Sequence, residues 1–248
     1  HARGAGRRAI HAGGEGAPLA VYGDYLMFSK SGEDRLMLNI GGIANFTFLP
    51  GDLDATKVYS TDVGPGNTLM DQYIQQNFEG MYFDRDSAIA RKGIVNNDLL
   101  KALLDHHFFA LDFPKTTGPE LFGLSYLSEA QERSATLALG KEDVVATLCH
   151  FSASGIANAI QKSLQNISSP VLYVSGGGMH NPLLLALIKE KLPEVIFKTT
   201  DDLSIHPDAK EAVLFALLAN ECVCGSRVDF GDREGVPSVC MGKISLPG

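Results

Sequence analysis

The chain has 248 residues, with 21 Lys and Arg against 29 Asp and Glu, giving a formal net charge of −8. Hydrophobic residues make up 45% and charged residues 20%, an ordinary globular balance that excludes an intrinsically disordered chain. The acidic excess argues against sequence-independent binding to DNA or RNA, which needs a basic face. No apolar run approaches the ~18–20 residues of a transmembrane helix, so no membrane partner is expected.

Residues 1–16 hold five glycines and three arginines without periodicity, and the chain starts at His1, so the opening reads as a chain entered midway. The apolar runs Arg35–Ile40 and Ile43–Leu49, separated by Gly41-Gly42, predict a β-hairpin with a glycine turn. Residues 57–61 predict a third short strand, 62–67 a turn, and 68–78 a helix through the spacing of Leu69, Met70, Tyr73 and Ile74. Between 79 and 140 the signal weakens: 97–104 and 120–132 read as helices, with a loop over 113–119. Residues 142–164 predict a long amphipathic helix whose first turn carries Glu142 and Asp143, where the helix dipole favours acids. A buried-type strand over 171–174, a turn over 175–178 and a helix over 181–192 with Pro182 at its start follow. A short strand over 195–198 and a strongly apolar helix over 209–222, expected to pack on several sides, complete the chain. Three opening strands followed by alternating helices and strands predict an α/β class with a mixed sheet.

Three glycine-bearing segments carry the candidate chemistry. The turn at Gly41 and Gly42 leaves backbone N–H groups that a phosphate oxygen can approach, with Asn45 as a further donor; the alternative is a tight hairpin with no ligand. Asp62 precedes Gly64 and Gly66 at a strand end, where open α/β sheets bind ligands and a carboxylate can accept a proton; the alternative is a helix cap. Gly176, Gly177 and Gly178 join a strand to a helix, a flat platform for a nucleotide, or else simply a strained turn. The segment is neither a G-x-G-x-x-G fingerprint nor a Walker P-loop.

Other reactive residues point to less. Cys149, Cys222, Cys224 and Cys240 form no secreted disulfide framework, and the lone Cys222-x-Cys224 lacks a second pair for zinc. His106 and His107 project about 100° apart on a helix and do not chelate together. Ser152 and Ser154 lack a nucleophile-elbow context. No metal site is expected. Residues 1–20 show no apolar stretch of a signal peptide, which places the protein in the cytoplasm as an expectation.

Taken together, LNIGGIANFTFLP (38–50), STDVGPGNTLMD (60–71), FPKTTGPELF (113–122), EDVVATL (142–148), VSGGGMHNP (174–182) and DAKEAVLFALLANE (208–221) resemble the anhydro-N-acetylmuramic acid kinase family in order and spacing. GGEGAPL (13–19) and GVPSVCMGKISLP (235–247) extend the likeness almost to the C-terminus. The resemblance implies the actin/Hsp70/sugar-kinase fold, with two ribonuclease-H-like domains and ATP between them. Residues 1–34 would be a remnant of the first domain and 35–248 the second, with a helical insertion over about 79–140. It further implies opening of the 1,6-anhydro bond with water and phosphorylation of O6 from ATP with Mg²⁺, in cell-wall recycling. Asp62 would be the catalytic base. Gly41, Gly42 and Asn45 would face the phosphates, Gly176, Gly177 and Gly178 would hold the adenosine side, and Glu211 is carried over as a cleft residue. A homodimer is the family default.

The sequence departs from the family pattern in three places. The family's opening Gly-Thr-Ser-x-Asp-Gly loop does not occur, Ala9 stands where an acid is expected, and Ser87 stands where glycine is usual. The chain is therefore expected to be a fragment. A second reading follows, a non-catalytic nucleotide- or sugar-binding remnant or interaction module.

Overall fold

The computed structural model describes residues 18–164, 170–206, 209–224 and 228. Helix α1 (Pro18–Phe28) leads into strands β1 (Arg35–Ile40), β2 (Ile43–Leu49) and β3 (Tyr59–Pro65), and then helix α2 (Thr68–Asn77). Helices α3 (Asn97–Leu104), α4 (His107–Ala110), α5 (Leu124–Arg133) and α6 (Lys141–Ser163) follow. Then come β4 (Val171–Ser175), α7 (Pro182–Lys191), β5 (Ile196–Thr199) and α8 (Lys210–Cys224).

The five strands form one sheet in the order β3-β2-β1-β4-β5. β1 pairs antiparallel with β2 and parallel with β4, β2 pairs antiparallel with β3, and β4 pairs parallel with β5. This is the mixed, ribonuclease-H-like sheet of the actin/Hsp70/sugar-kinase fold, as the resemblance implied. Parallel pairing brings the C-terminal ends of β1 and β4 side by side, so the turns at Gly41 and Gly176 emerge at one end of the sheet.

The alternation of side chains along β1 sorts the core into two layers. Leu36, Leu38 and Ile40 face one layer with Leu69 and Ile74 of α2, Phe151 and Ile156 of α6, and Leu184 and Ile188 of α7. Met37, with Leu49, Val171 and Tyr173, faces the other layer, with Tyr22 and Phe28 of α1 and Leu218 of α8.

Sequence periodicity located most elements within a residue or two, and two differences are physical. β3 runs on to Pro65, so residues 62–65 are strand and not turn. The reason is long-range pairing: Gly64 and Pro65 stand opposite Ala44 and Ile43 of β2, while on the other edge the Asp62 amide donates to the Lys115 carbonyl (2.9 Å) and the Lys115 amide donates to Thr61 Oγ1 (3.0 Å). Second, among the described residues α8 does not pack on several sides. Leu218 is buried, whereas Phe215 and Val223 are 43% and 72% exposed. Its apolar residues run around the whole circumference, and the side that reaches α1 is the one carrying Leu214, which lies over Gly23.

Candidate functional site

The site is built at the C-terminal ends of β1 and β4. The carbonyl of Gly41 accepts from the Asn67 amide (2.9 Å), and that of Gly42 accepts from the Gly66 (2.9 Å) and Thr68 (3.0 Å) amides. The hairpin turn is thereby tied to the first turn of α2, whose N–H groups need partners from outside the helix. The N–H groups of Gly41 and Gly42 donate to no other backbone group among the described residues. Gly66 makes this contact possible, because a Cβ there would stand 2.2 Å from the Gly41 oxygen. From behind, Ser152 of α6 donates to the Gly66 carbonyl (2.8 Å), which is the buried role of a serine that sequence alone left unassigned.

Gly176 and Gly178 meet the same turn from the other strand. Gly176 has φ +86, and a Cβ on it would lie 2.5 Å from Asn39 Oδ1, while a Cβ on Gly178 would strike the Ile40 side chain at 2.2 Å. Gly41 lies against the other end of the same Asn39 amide. Two glycine turns 135 positions apart therefore share one side chain. Gly177 differs, with open space where its side chain would go.

Four polar residues cross the sheet at this level. Asp62 is registered opposite Asn45, Asn45 opposite Asn39, and Asn39 opposite Ser175, which places all four on one face. The register shifts between Ala44 and Asn45, so Val63 is an extra residue on β3. Bulges of this kind re-aim neighbouring side chains near sites.

Asp62 is half-buried and does not cap α2, which excludes the capping alternative. Its Oδ2 accepts from the Thr117 amide (2.8 Å), and the cap position of α2 belongs to Asn67, whose side chain makes no capping bond. Burial raises the Asp62 carboxyl above its ordinary range, against a smaller opposing pull from the Thr117 N–H. A base with a raised pKa is a better proton acceptor.

The Thr117 loop is anchored by Lys115. Its buried ammonium donates to the Phe108 carbonyl (2.7 Å) and sits 4.3 Å from the centre of the Phe108 ring. Burial, and to a lesser degree the charge of Lys162, pulls it down to about 8. FPKTTGP was legible as a loop; its hold on Asp62 was not, because the two segments are 55 positions apart.

Beside the glycine turns lies a cavity of about 460 Å³, enough for a nucleoside. Gly177, His180 and Asn181 form one wall, Asn67, Met70 and Asp71 of α2 a second, and residues 83–86 a third. The third wall is a locked hook. Asp84 accepts from the Ile89 (2.8 Å) and Ala90 (2.9 Å) amides. Ser87 donates to Asn181 Oδ1 (2.6 Å) and accepts from the Leu183 amide (3.0 Å). Ser87 holds φ +58, a conformation that suits the glycine the resemblance implies here; the serine offsets that strain with hydrogen bonds. Asp71 and Asn67 were read in sequence only as part of a helix and a turn.

The side chain of Glu211 lies outside the described residues, as do residues 13–17 and 235–247 of the flanking motifs. Among the described residues, no group of three or more His, Cys, Asp and Glu gathers to hold a metal ion. No described helix is long and apolar enough to cross a membrane.

The sheet order and its flanking helices define a member of the actin/Hsp70/sugar-kinase fold class. The chain belongs to the anhydro-N-acetylmuramic acid kinase family, whose model matches residues 5–235. It is 58% identical over 240 residues to an anhydro-N-acetylmuramic acid kinase from Pseudoalteromonas atlantica (strain T6c / ATCC BAA-1087), covering 96% of this chain and 60% of that protein. It is 37% identical over 242 residues to the one from Caldanaerobacter subterraneus subsp. tengcongensis (strain DSM 15242 / JCM 11007 / NBRC 100824 / MB4), covering 96% and 61%. The chain thus spans about 60% of the length of these relatives. Among solved structures it is similar to the activator of the 2-hydroxyisocaproyl-CoA dehydratase from Clostridium difficile with bound ADPNP. That likeness has 14% identity and a TM-score of 0.46, over 81% of this chain and 65% of the other.

Proposed function

We propose that the protein contributes the second lobe of an ATP-dependent kinase that opens the 1,6-anhydro bond of anhydro-N-acetylmuramic acid and phosphorylates O6. The observation that carries the reading is the placement of Asp62. One carboxylate oxygen is held by the Thr117 N–H, and the residue stands across from Asn45 at the sheet end where the two glycine turns meet. The other oxygen is left to take a proton.

In the proposed reaction Asp62 removes a proton from water as the water oxygen bonds to C1. The C1–O6 bond breaks, and O6 attacks the γ-phosphorus of ATP as the bond to ADP breaks. The products are N-acetylmuramic acid 6-phosphate and ADP, an intermediate and a by-product of cell-wall recycling. General-base assistance of this kind is worth on the order of 10²–10⁴ in rate. The uncommitted N–H groups of Gly41 and Gly42 and the N-terminus of α2 suit the phosphates, and Gly176, Gly177 and Gly178 with the adjoining cavity suit the nucleoside.

Mg²⁺ would be held mainly by the phosphates, and the amide oxygens of Asn39 and Asn45, registered on the same face as Asp62, are the neutral oxygen donors that suit it there, leaving Asp62 free as the base. Bound there, it would neutralise charge on the transferring phosphoryl group. Residues 1–34 are proposed to belong to the first lobe and 35–248 to the second, with 79–140 as the insertion. A cytoplasmic homodimer follows from the family resemblance, and light scattering of the purified protein tests the dimer.

The catalytic reading is tested by incubating the purified intact enzyme, with both lobes, with ATP, Mg²⁺ and anhydro-N-acetylmuramic acid in ¹⁸O-water. One ¹⁸O is expected in the sugar at C1 and none in the phosphate. Label in the phosphate would show ATP hydrolysis instead, and nucleotide binding without turnover would favour the non-catalytic reading.

A further inference from the structure

The carboxylate of Asp71 is the one acid in the cavity walls that is half-buried yet uncommitted. Asp84 spends both oxygens on the Ile89 and Ala90 amides, and Asp86 is exposed to solvent. The Asn181 oxygen is taken by the Leu184 amide (2.9 Å) and by Ser87. The Asp71 carboxylate makes no hydrogen bond or ion pair with any described residue, and burial alone pushes it up to about 6. A carboxylate that is desolvated without a partner costs stability, so its retention in a cavity points to a ligand.

Its position along α2 narrows the ligand group. The first turn of α2 is tied to the Gly41-Gly42 turn through Asn67 and Thr68. Asp71 is four residues beyond Asn67, on the same face of the helix and ~6 Å further along its axis. Among the lining residues, the bare backbone of Gly177 and the Phe83 ring, with the Arg85 guanidinium 5.7 Å from its centre, offer flat surfaces that suit a base. Between phosphates at the helix start and a base at the flat walls lies the sugar of a nucleotide. Its vicinal hydroxyls are donors, and they need an acceptor of this kind.

Resting on the nucleotide-site reading above, we infer that Asp71 is the ribose-reading group of the site, its carboxylate accepting hydrogen bonds from the 2′- and 3′-hydroxyls of the bound nucleotide. The residue sets a preference for ribonucleotides over deoxyribonucleotides and takes no part in the chemical step.

The test is titration calorimetry of the purified intact enzyme, with both lobes, with ATP and with 2′-deoxy-ATP, for wild type, Asp71→Ala and Asp71→Asn. A hydrogen bond to a charged acceptor predicts that wild type binds ATP at least ~10-fold more tightly than the deoxynucleotide. Asp71→Ala is expected to bring that ratio below about 2 by weakening ATP alone, and the nearly isosteric Asp71→Asn to give an intermediate ratio. If the alanine variant does not fold, a fall in the ratio for the asparagine variant carries the same conclusion. Equal binding of the two nucleotides by wild type, or a ratio unchanged by both substitutions, overturns the inference and leaves the nucleotide site standing. No binding of either nucleotide to wild type overturns the nucleotide site and the inference with it.

Discussion

Asn45 and Asp62 stand directly opposite each other on antiparallel β2 and β3, just before a bulge that adds Val63 to one side of the ladder. The pairing puts the proposed base beside an amide and on the same face as Asn39. Asp62 owes its setting to a third segment, because the Thr117 N–H holds one of its oxygens.

Replacing Asp62 by Asn keeps the size of the side chain and an oxygen for the Thr117 N–H, and removes the base. Turnover in the intact enzyme is expected to fall by at least ~10², with ATP and sugar binding within a few-fold. Steady-state kinetics beside equilibrium binding provide the check. Turnover near wild type would place the base elsewhere.

Gly66 and Gly177 predict opposite responses to a single methyl group. In Gly66→Ala the new Cβ meets a backbone oxygen, that of Gly41, which cannot move without distorting the hairpin. A loss of ~1–3 kcal/mol in a urea melt is expected, together with weaker nucleotide binding. Gly177→Ala meets nothing within 4 Å and is expected to leave the melt unchanged. A bulkier Gly177→Val is expected to weaken nucleotide binding by filling the cavity, not by crowding the backbone. Equal melts for the two alanine variants would contradict the close packing at Gly66.

Much of this fold was legible because its strands and helices carry strong local signals. Gly41-Gly42 between two apolar runs gave the hairpin, and the Asn97–Leu104 helix matched its apolar spacing to the residue. What escaped was set by distant partners. β3 was read short because Gly64 and Pro65 are held by pairing with β2 and Asp62 by Lys115, far along the chain, and not by any local pattern. Helix α1 escaped because its residues are apolar on most sides and give no periodic stripe. The glycine motifs marked the site, but Asn67 and Asp71 looked like ordinary helix residues. Their role depends on a hook formed by residues 83–87, which no local pattern reveals.

Asp71 also predicts a pH dependence of stability. Its carboxyl is raised from 3.8 to about 6, so the folded state binds its proton more tightly than the unfolded state. The contribution is fully favourable below pH 3.8 and is lost as pH rises through about 6. Asp71→Asn is therefore expected to melt at a higher temperature than wild type at pH 7.5 and to converge with it near pH 4. A constant difference across that range would show that the carboxyl is not desolvated. The stability gained would accompany weaker ATP binding, the usual trade at a functional site.

Lys115 predicts a dependence of the opposite sense at alkaline pH. Its ammonium is lowered from 10.5 to about 8, so between those values the unfolded chain binds more protons than the folded one. Stability then rises with pH across that window as the cost of burying the charge disappears. Lys115→Met fills the space among Phe108, Phe109 and Phe113 without a charge. Wild type minus variant, measured by urea melts from pH 7 to 10, is expected to become more favourable to wild type as pH increases. A flat difference would place the ammonium in contact with solvent. The variant also loses the bond to the Phe108 carbonyl, which fixes the loop carrying Thr117. Its turnover is therefore expected to fall more than its ATP affinity, because the loop holds Asp62 and does not line the nucleoside cavity. Turnover at the wild-type level in a folded Lys115→Met protein would show that Thr117 holds Asp62 without help from this anchor.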